Sequence, residues 1–160
     1  MTTVTVSTVA QWNYIPTSIN RIIISSNSLN VNSFTTMDFS DYSSLRMIEI
    51  GNECGMYVTS VKITGLNSLK SVRIGKNSFT TEKGSYPWEG YESGVFQLKD
   101  CPKVRELKIG SGSFSDYSVC EIENVNALEA IEMGDVNDAQ PSNCFYHASL
   151  ELKSDLIHIK

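Results

Sequence analysis

The chain has 160 residues, of which 41% are hydrophobic, and its formal net charge at pH 7 is −5. This composition is typical of one globular domain, which we assign to residues 1–160, and the acidic balance argues against general nucleic-acid binding, because phosphate contacts need a surplus of lysine and arginine. There is no run of eighteen apolar residues and no basic segment at the N-terminus, so we expect neither a membrane span nor a signal peptide, which favours the cytoplasm without deciding the compartment.

Residues 1–18 precede the first clear repeat and include Trp12, Tyr14 and Pro16. We expect this segment to cap the repeats that follow, because an uncapped array would leave strand edges and apolar core groups exposed.

One template recurs through residues 19–134, in which apolar-x-x-apolar-x-apolar is followed by glycine. Its clear copies end at Gly51, Gly75, Gly110 and Gly134, and a fainter copy ends at Ser25. The intervals between these positions are 26, 24, 35 and 24 residues, as in stacked solenoid units of which one carries an insertion. We interpret the glycines as allowing a bend with a positive φ, and the alternative is that they avoid a clash at a corner.

Each unit also has an apolar pair fourteen and twelve residues before its glycine. The pairs are Met37/Phe39, Val61/Ile63, Phe96/Leu98 and Cys120/Ile122. A sixth apolar position lies nine residues before the glycine, at Tyr42, Leu66, Cys101 and Val125. Alternation in short runs is the period of strands with one buried face, and three-residue gaps mark corners of the chain. The sequence therefore predicts an all-β solenoid with two short strands per unit, parallel sheets and about five to six repeats.

In residues 69–79 and 104–114 the chain resembles the leucine-rich repeat proteins of protists, which are related to the BspA-like leucine-rich repeats. The resemblance covers roughly residues 19–134. It implies a right-handed coil with a parallel sheet on one face, and a role in binding other proteins. Glycine replaces the asparagine that usually follows the strand in that family, so the asparagine ladder of ordinary leucine-rich repeats is missing.

Phe79 and Phe114 each lie four residues after a strand-end glycine, and we expect them to form an internal aromatic column. Leu29 has the same place upstream, whereas Gly55 and Asp138 are expected to interrupt the column.

Residues 135–160 predict an irregular last repeat. Leu150 and Leu152 fit one strand and residues 156–159 fit another, in a register that the pattern leaves open. Such an ending suits a fragment of a longer array or a contact between the ends of two copies of the chain. The alternative is a last strand that simply closes the sheet.

Two of the four cysteines, Cys101 and Cys120, occupy inward positions of the repeat, which predicts buried free thiols. Cys54 and Cys144 have neither the spacing nor the nearby histidine that a zinc site would require.

The sequence offers little catalytic chemistry, with two histidines and no nucleophile, phosphate-loop or zinc-protease motif. Outward carboxylates could act on a polysaccharide as acid and base. However, we expect Glu49 to face Arg73, and Glu132 to follow Lys108, which favours solvated ion pairs. We therefore predict a non-enzymatic protein with no metal and no cofactor.

Five basic residues are assigned to outward positions of three consecutive units. They are Arg46, Lys70, Arg73, Arg105 and Lys108. Because neighbouring strands lie about 4.8 Å apart, these like charges predict an anionic partner. The alternative is that Glu49, Glu106 and solvent neutralise them.

The 35-residue unit contains an insertion with Tyr86, Trp88 and Tyr91. Insertions in repeat proteins become loops, and tyrosine and tryptophan are enriched at binding hot spots, so these three residues are candidates for contact with a partner. The alternative is that the loop folds back and covers the core.

We predict a leucine-rich-repeat-type scaffold that binds a protein partner through the sheet and this loop. A surface adhesin or carbohydrate-binding module, with the three aromatic rings stacked on a glycan, is the second hypothesis. A β-helix enzyme acting on polysaccharides is the third. The sequence leaves the oligomeric state open.

Overall fold

The computed structural model describes residues 1–81, 94–135, 144–146 and 148–154. These residues contain eleven strands and one short helix. In chain order they are β1 (Thr3–Val6), α1 (Val9–Asn13), β2 (Arg21–Ile24), β3 (Thr36–Asp38), β4 (Met47–Ile50), β5 (Ser60–Thr64), β6 (Ser71–Ile74), β7 (Gly94–Lys99), β8 (Glu106–Ile109), β9 (Tyr117–Glu123), β10 (Ala130–Met133) and β11 (Ser149–Lys153).

The strands form two sheets, and every pairing in them is parallel. Sheet A has the order β1-β2-β4-β6-β8-β10, and sheet B has the order β11-β9-β7-β5-β3. From β2 onward, successive strands alternate between the two sheets. The predictions of parallel sheets and of two short strands per unit are therefore confirmed.

The register is regular along each sheet apart from one shift between Gly94 and Val95, where β7 pairs with β9, so corresponding residues of successive units form columns. One column of sheet A contains Val4, Ile22, Ile48, Val72, Leu107 and Ile131. One column of sheet B contains Met37, Val61, Phe96, Cys120 and Leu150. Each apolar column lies on the inner side of its sheet, where it supplies the core.

The core is built from the six apolar positions that the repeat template predicts. In the unit of β5 and β6 they are Val61, Ile63, Leu66, Leu69, Val72 and Ile74, and all six are buried. Cys101 and Cys120 occupy such positions as buried free thiols, as predicted. Burying a side chain of this kind contributes about 1.5 to 3 kcal/mol, so the stacked units share one continuous source of stability.

The strand-end glycines serve mainly to let successive backbones approach closely. Of the four, only Gly134 has a positive φ, at 78°. A Cβ atom at Gly75 would lie 2.6 Å from the carbonyl carbon of Gly51, and one at Gly110 would lie 2.5 Å from that of Gly75. The favoured interpretation from the sequence, a positive-φ bend, is therefore wrong at Gly51, Gly75 and Gly110. A side chain there would collide with the neighbouring backbone.

An aromatic column runs through the turns that follow the strands of sheet A. The rings of Phe79 and Phe114 stack at 4.8 Å between centroids, and those of Phe114 and Phe145 stack at 4.7 Å. The expected interruption at Asp138 is wrong, because the last unit reaches this turn at Phe145, eleven residues after Gly134 rather than four. All three phenylalanines have a φ between 51° and 58°, which is unusual for a bulky residue.

The N-terminal segment adds a strand and a short helix to the first unit. β1 pairs with β2 at the edge of sheet A. Thr8 begins α1 with a capping box, in which its side chain accepts from the Gln11 N–H and the Gln11 side chain accepts from the Thr8 N–H. The buried Trp12 of α1 contacts three aromatic rings edge-on. Its partners are Phe34, Phe39 and Tyr42, at centroid distances of 5.9, 5.2 and 6.2 Å.

Candidate functional site

Arg73 and Lys108 lie side by side in the middle of sheet A. β6 and β8 pair in parallel with Arg73 opposite Lys108. Both side chains point outward, because their strand neighbours Val72 and Leu107 point into the core. Two like charges therefore occupy adjacent strands at the spacing of a sheet, about 4.8 Å.

Arg46, Lys70 and Arg105 form a second group, directly before the first residues of β4, β6 and β8. The Lys70 N–H donates to the Arg46 carbonyl at 2.8 Å, and the Arg105 N–H donates to the Lys70 carbonyl at 2.9 Å. All three residues are exposed. Within the described parts of the chain, no ion pair involves Arg46 or Lys70. We call these three residues the basic row and, together with Arg73 and Lys108, the basic face.

Glu106 lies between the two outward cations of the basic face. Its Oε1 is 3.1 Å from the Arg73 Nε and 3.3 Å from the Lys108 Nζ. Partial desolvation raises the pKa of Glu106, but the hydrogen bonds from Arg73 and Lys108 outweigh it, so the pKa is lowered overall. The carboxylate stays ionised at neutral pH and neutralises part of the local positive charge.

The oppositely charged residues that we expected to be neighbours are paired in the register of sheet A. Glu49 lies beside Arg73, and Glu132 lies beside Lys108. Lys108 and Glu132 form an ion pair at 3.7 Å. Glu49, however, accepts hydrogen bonds from Arg21 of β2 and forms its ion pair there, at 2.5 Å. In the described structure the acidic partner of Arg73 is therefore Glu106.

The outer side of sheet A is positive although the chain is acidic. Six basic and four acidic residues lie on its strands or directly before them, an excess of two positive charges on a chain of net charge −5. The basic residues are Arg21, Arg46, Lys70, Arg73, Arg105 and Lys108, and the acidic residues are Glu49, Glu106, Glu129 and Glu132. An anionic partner would therefore be attracted to this side of the molecule.

The three aromatic candidates, Tyr86, Trp88 and Tyr91, lie outside the described residues. The chain enters their insertion at Thr81, whose N–H and hydroxyl donate to the Asp116 Oδ2 at 3.2 and 3.1 Å. These bonds attach the start of the insertion to the turn that leads into β9.

A ladder of hydroxyl and thiol groups, which the sequence interpretation missed, runs beside the aromatic column. We call Cys54, Ser78, Ser113 and Cys144 the hydroxyl–thiol ladder. Each donates from its side chain to the carbonyl of the strand-end residue one unit earlier. The acceptors are Ser25, Gly51, Gly75 and Gly110, at 3.0, 2.9, 2.7 and 3.0 Å. This ladder satisfies backbone carbonyl groups at the turns that follow the strands of sheet A.

A signal for this ladder is present in the sequence. Cys54, Ser78 and Ser113 each lie three residues after a strand-end glycine. Cys144 has no such spacing, because its unit carries extra residues before the turn. Serine stands in place of cysteine at the two middle positions, so the pattern is missed when the cysteines are examined by themselves.

We expect Ser78→Ala to lower the free energy of unfolding by about 2 kcal/mol, because it would leave a buried donor and a half-buried acceptor unpaired. The Ser78 hydroxyl donates to the Gly51 carbonyl and accepts from the Cys54 N–H. Ser78→Cys is the matched control and should lose less, since cysteine already occupies the ladder at two positions. Urea unfolding of both variants measures the difference. Equal losses would mean that the side-chain bond to Gly51 contributes nothing specific.

The cysteines of the core are poorly suited to nucleophilic chemistry. Burial raises the pKa of Cys101 to about 11 and that of Cys120 to about 12. Burial also raises the pKa of Cys54 and of Cys144. The thiolate is the reactive form, so these groups remain unreactive thiols near neutral pH.

Metal-binding groups and membrane-spanning helices were sought in the part of the chain that the structure describes. There, no three residues among histidine, cysteine, aspartate and glutamate are grouped so that they could hold a metal ion. Over the same residues, no helix is long and apolar enough to cross a membrane.

The geometry defines a strand-rich protein with two parallel sheets, one of which carries a basic face. Comparison of the chain with protein-family models, with curated proteins and with solved structures found no match. The functional argument therefore depends on the chain's own side chains.

Proposed function

We propose that this chain is a non-enzymatic scaffold that binds an acidic segment of another protein through the basic face. In this proposal the fold is a right-handed solenoid of the leucine-rich-repeat type with about five to six units. Strands that alternate between two parallel sheets, with a constant register through sheet A, support it, because a coil advancing by one strand spacing per turn would produce this order.

The basic row is the observation that carries the proposal. Backbone hydrogen bonds hold Arg46, Lys70 and Arg105 in consecutive units, so three cations follow one another at the strand spacing. Like charges on neighbouring strands destabilise a sheet. The three side chains are exposed and contribute nothing to the apolar core, so packing does not account for cations at these positions. A bound anionic segment would offset the repulsion, and it would also be steered toward this side during encounter.

The outward carboxylates support a non-enzymatic role. Glu121 and Glu151 are neighbours on sheet B, where paired acids would be sought in a β-helix enzyme. Each has a lysine partner, Lys99 at 2.5 Å and Lys153 at 2.8 Å. The hydrogen bond from Lys99 is the largest cause of a lowered pKa at Glu121. A general acid needs the opposite shift.

The insertion provides a second contact in the same proposal. Tyr86, Trp88 and Tyr91 would supply apolar contact area, because aromatic anchors contribute most of the binding energy in many interfaces. A glycan stacked on these rings is the alternative ligand. The binding experiment described next distinguishes the two, because it compares an oligosaccharide with an acidic peptide.

We expect the double variant Lys70→Glu/Arg105→Glu to bind a labelled peptide of alternating glutamate and leucine at least about tenfold more weakly than the unaltered chain. Fluorescence anisotropy measures the dissociation constants, and raising the salt from about 50 to about 300 mM should weaken binding of the unaltered chain, because exposed charges are screened.

Lys62→Glu/Lys103→Glu is the matched control, since it makes the same change of charge at exposed positions outside the basic face. It should bind within about twofold of the unaltered chain. Equal weakening by both double variants would contradict a localised site. Preference for a neutral or sulfated oligosaccharide over the acidic peptide would favour carbohydrate binding instead.

A further inference from the structure

The basic row keeps an even spacing through three units because its backbone is hydrogen-bonded from one unit to the next. The Lys70 N–H donates to the Arg46 carbonyl, and the Arg105 N–H donates to the Lys70 carbonyl. In each unit the row residue lies seven positions after the second residue of the apolar pair, which is Phe39, Ile63 or Leu98. The extra residues of the 35-residue unit lie between β6 and β7, after Lys70 rather than before it. The insertion therefore separates Lys70 from Arg105 in the sequence without interrupting the row.

The row ends at neighbours that are not cations. The same backbone ladder continues on both sides, where the Arg46 N–H donates to the Asn20 carbonyl at 2.7 Å and the Glu129 N–H donates to the Arg105 carbonyl at 2.9 Å. Asn20 is neutral, and Glu129 forms an exposed ion pair with Arg105 at 3.8 Å. The uninterrupted positive stretch is therefore Arg46, Lys70 and Arg105, which covers two strand spacings, about 9.6 Å.

The length of this stretch matches one conformation of a polypeptide. In an α-helix, residues i, i+4 and i+7 lie on one face and span about 10.5 Å, since each residue rises about 1.5 Å. In an extended strand, three residues on one side span about 13 Å, because every second residue points the same way. In a polyproline II helix, three residues on one side span about 19 Å. Of these three conformations, the α-helix matches the row to within about 1 Å.

The side chains of the row can accommodate the helix and not the longer repeats. The three cations are exposed and have long, flexible stems, so they absorb a mismatch of about 1 Å at little conformational cost. A mismatch of about 4 Å over the same stretch would restrict their rotamers. A segment that crosses β4, β6 and β8 meets all three cations, whereas a segment that runs along β6 meets Lys70 of the row.

We propose that the partner segment held by the basic row is an α-helix with acidic residues at positions i, i+4 and i+7, which lies across β4, β6 and β8. Its acidic stripe faces Arg46, Lys70 and Arg105 in turn. Resting on the function proposed for the basic face, this proposal adds the conformation of the partner and the spacing of its charges.

Three labelled peptides of about 16 residues, long enough to form a helix, test this spacing on the full chain. The first has glutamates at i, i+4 and i+7 among alanines and glutamines. The second has the same composition with its glutamates two residues apart. The third has the glutamates of the first with a proline between them, which breaks a helix.

Fluorescence anisotropy should show roughly threefold weaker binding of the second and third peptides than of the first, the effect of losing about one exposed ion pair. Circular dichroism should show a gain of helix when the first peptide binds. Lys70→Glu/Arg105→Glu should remove the preference, because it leaves one cation in the row. Lys62→Glu/Lys103→Glu, outside the row, should keep the preference.

The outcomes separate this proposal from the function on which it rests. Equal binding of the three peptides, all weakened by Lys70→Glu/Arg105→Glu, would overturn the helical partner and leave the function of the basic face intact. Tighter binding of the second peptide would assign the row to an extended segment. No binding of any peptide at about 1 mM, or binding that this double variant does not weaken, would overturn both. Circular dichroism of the variants alone separates a loss of binding from a loss of fold.

Discussion

Phe114→Ala should lower the free energy of unfolding by about 4 kcal/mol, the loss typical of removing a buried phenylalanine. The ring of Phe114 stacks between those of Phe79 and Phe145 and meets Phe96 and Tyr117 edge-on. Alanine would open a cavity in the middle of this column. For a chain of this length, the melting temperature should fall by roughly 10 °C, which thermal unfolding followed by circular dichroism would measure.

Phe114→Leu is the control for this experiment. Leu29 occupies the same turn position in the first unit with a φ of 61°, so the backbone there accepts leucine. The substitution keeps most of the apolar volume and removes the ring contacts, and we expect it to lose less than half as much stability as alanine. A stability of Phe114→Ala equal to that of the unaltered chain would show that the rings do not form a packed column.

Trp12→Ala should lower the free energy of unfolding by about 3 to 5 kcal/mol, because Trp12 is the large side chain that joins the N-terminal helix to the first unit. It contacts Phe34, Phe39 and Tyr42 edge-on, and such pairs add to the effect of burial. Hydrogen exchange should show lost protection concentrated in β1 and β2, since terminal units of a repeat array unfold most easily when their cover is removed.

Tyr14→Ala controls for the loss of an aromatic residue in the same segment. Tyr14 is 85% exposed, so its replacement should change stability by no more than about 0.5 kcal/mol. A similar loss for Trp12→Ala and Tyr14→Ala would contradict a specific role for the Trp12 contacts.

Units of this size depend on their neighbours for stability. Phe114→Ala removes contacts between units inside the array, and Trp12→Ala removes contacts at its N-terminal end. If the array behaves as stacked units coupled to nearest neighbours, Trp12→Ala should broaden or divide the unfolding transition, whereas Phe114→Ala should shift the transition as a whole.

The positions of the strands and the inward residues could be predicted from the sequence. Val61 and Ile63, then Val72 and Ile74, alternate with polar residues, and that period specifies a strand with one buried face wherever it occurs. The same alternation placed Arg73 on the outer side, so a basic side of the sheet could be proposed before any contact was known.

Ion-pair partners in the candidate site could not be read from the alternation. Glu49 has a cation beside it on each neighbouring strand, Arg21 and Arg73, and the register allows either. Its pairing with Arg21 depends on the side-chain conformations of three strands together. Glu106 pairs with Arg73 from the adjacent strand, a contact that depends on how far two side chains reach across the sheet.

The repeat template by itself determined the two strands of each unit, their buried faces and the parallel stacking, because these depend on local periodicity and on the need to bury apolar side chains. Only the tertiary structure decided why Gly75 must be glycine, that Ser78 bonds to the preceding unit, and that Phe145 extends the aromatic column. Each of these contacts joins atoms of different units. The distance between the backbones of neighbouring units is set by how whole units pack, and not by residues that are close in the sequence.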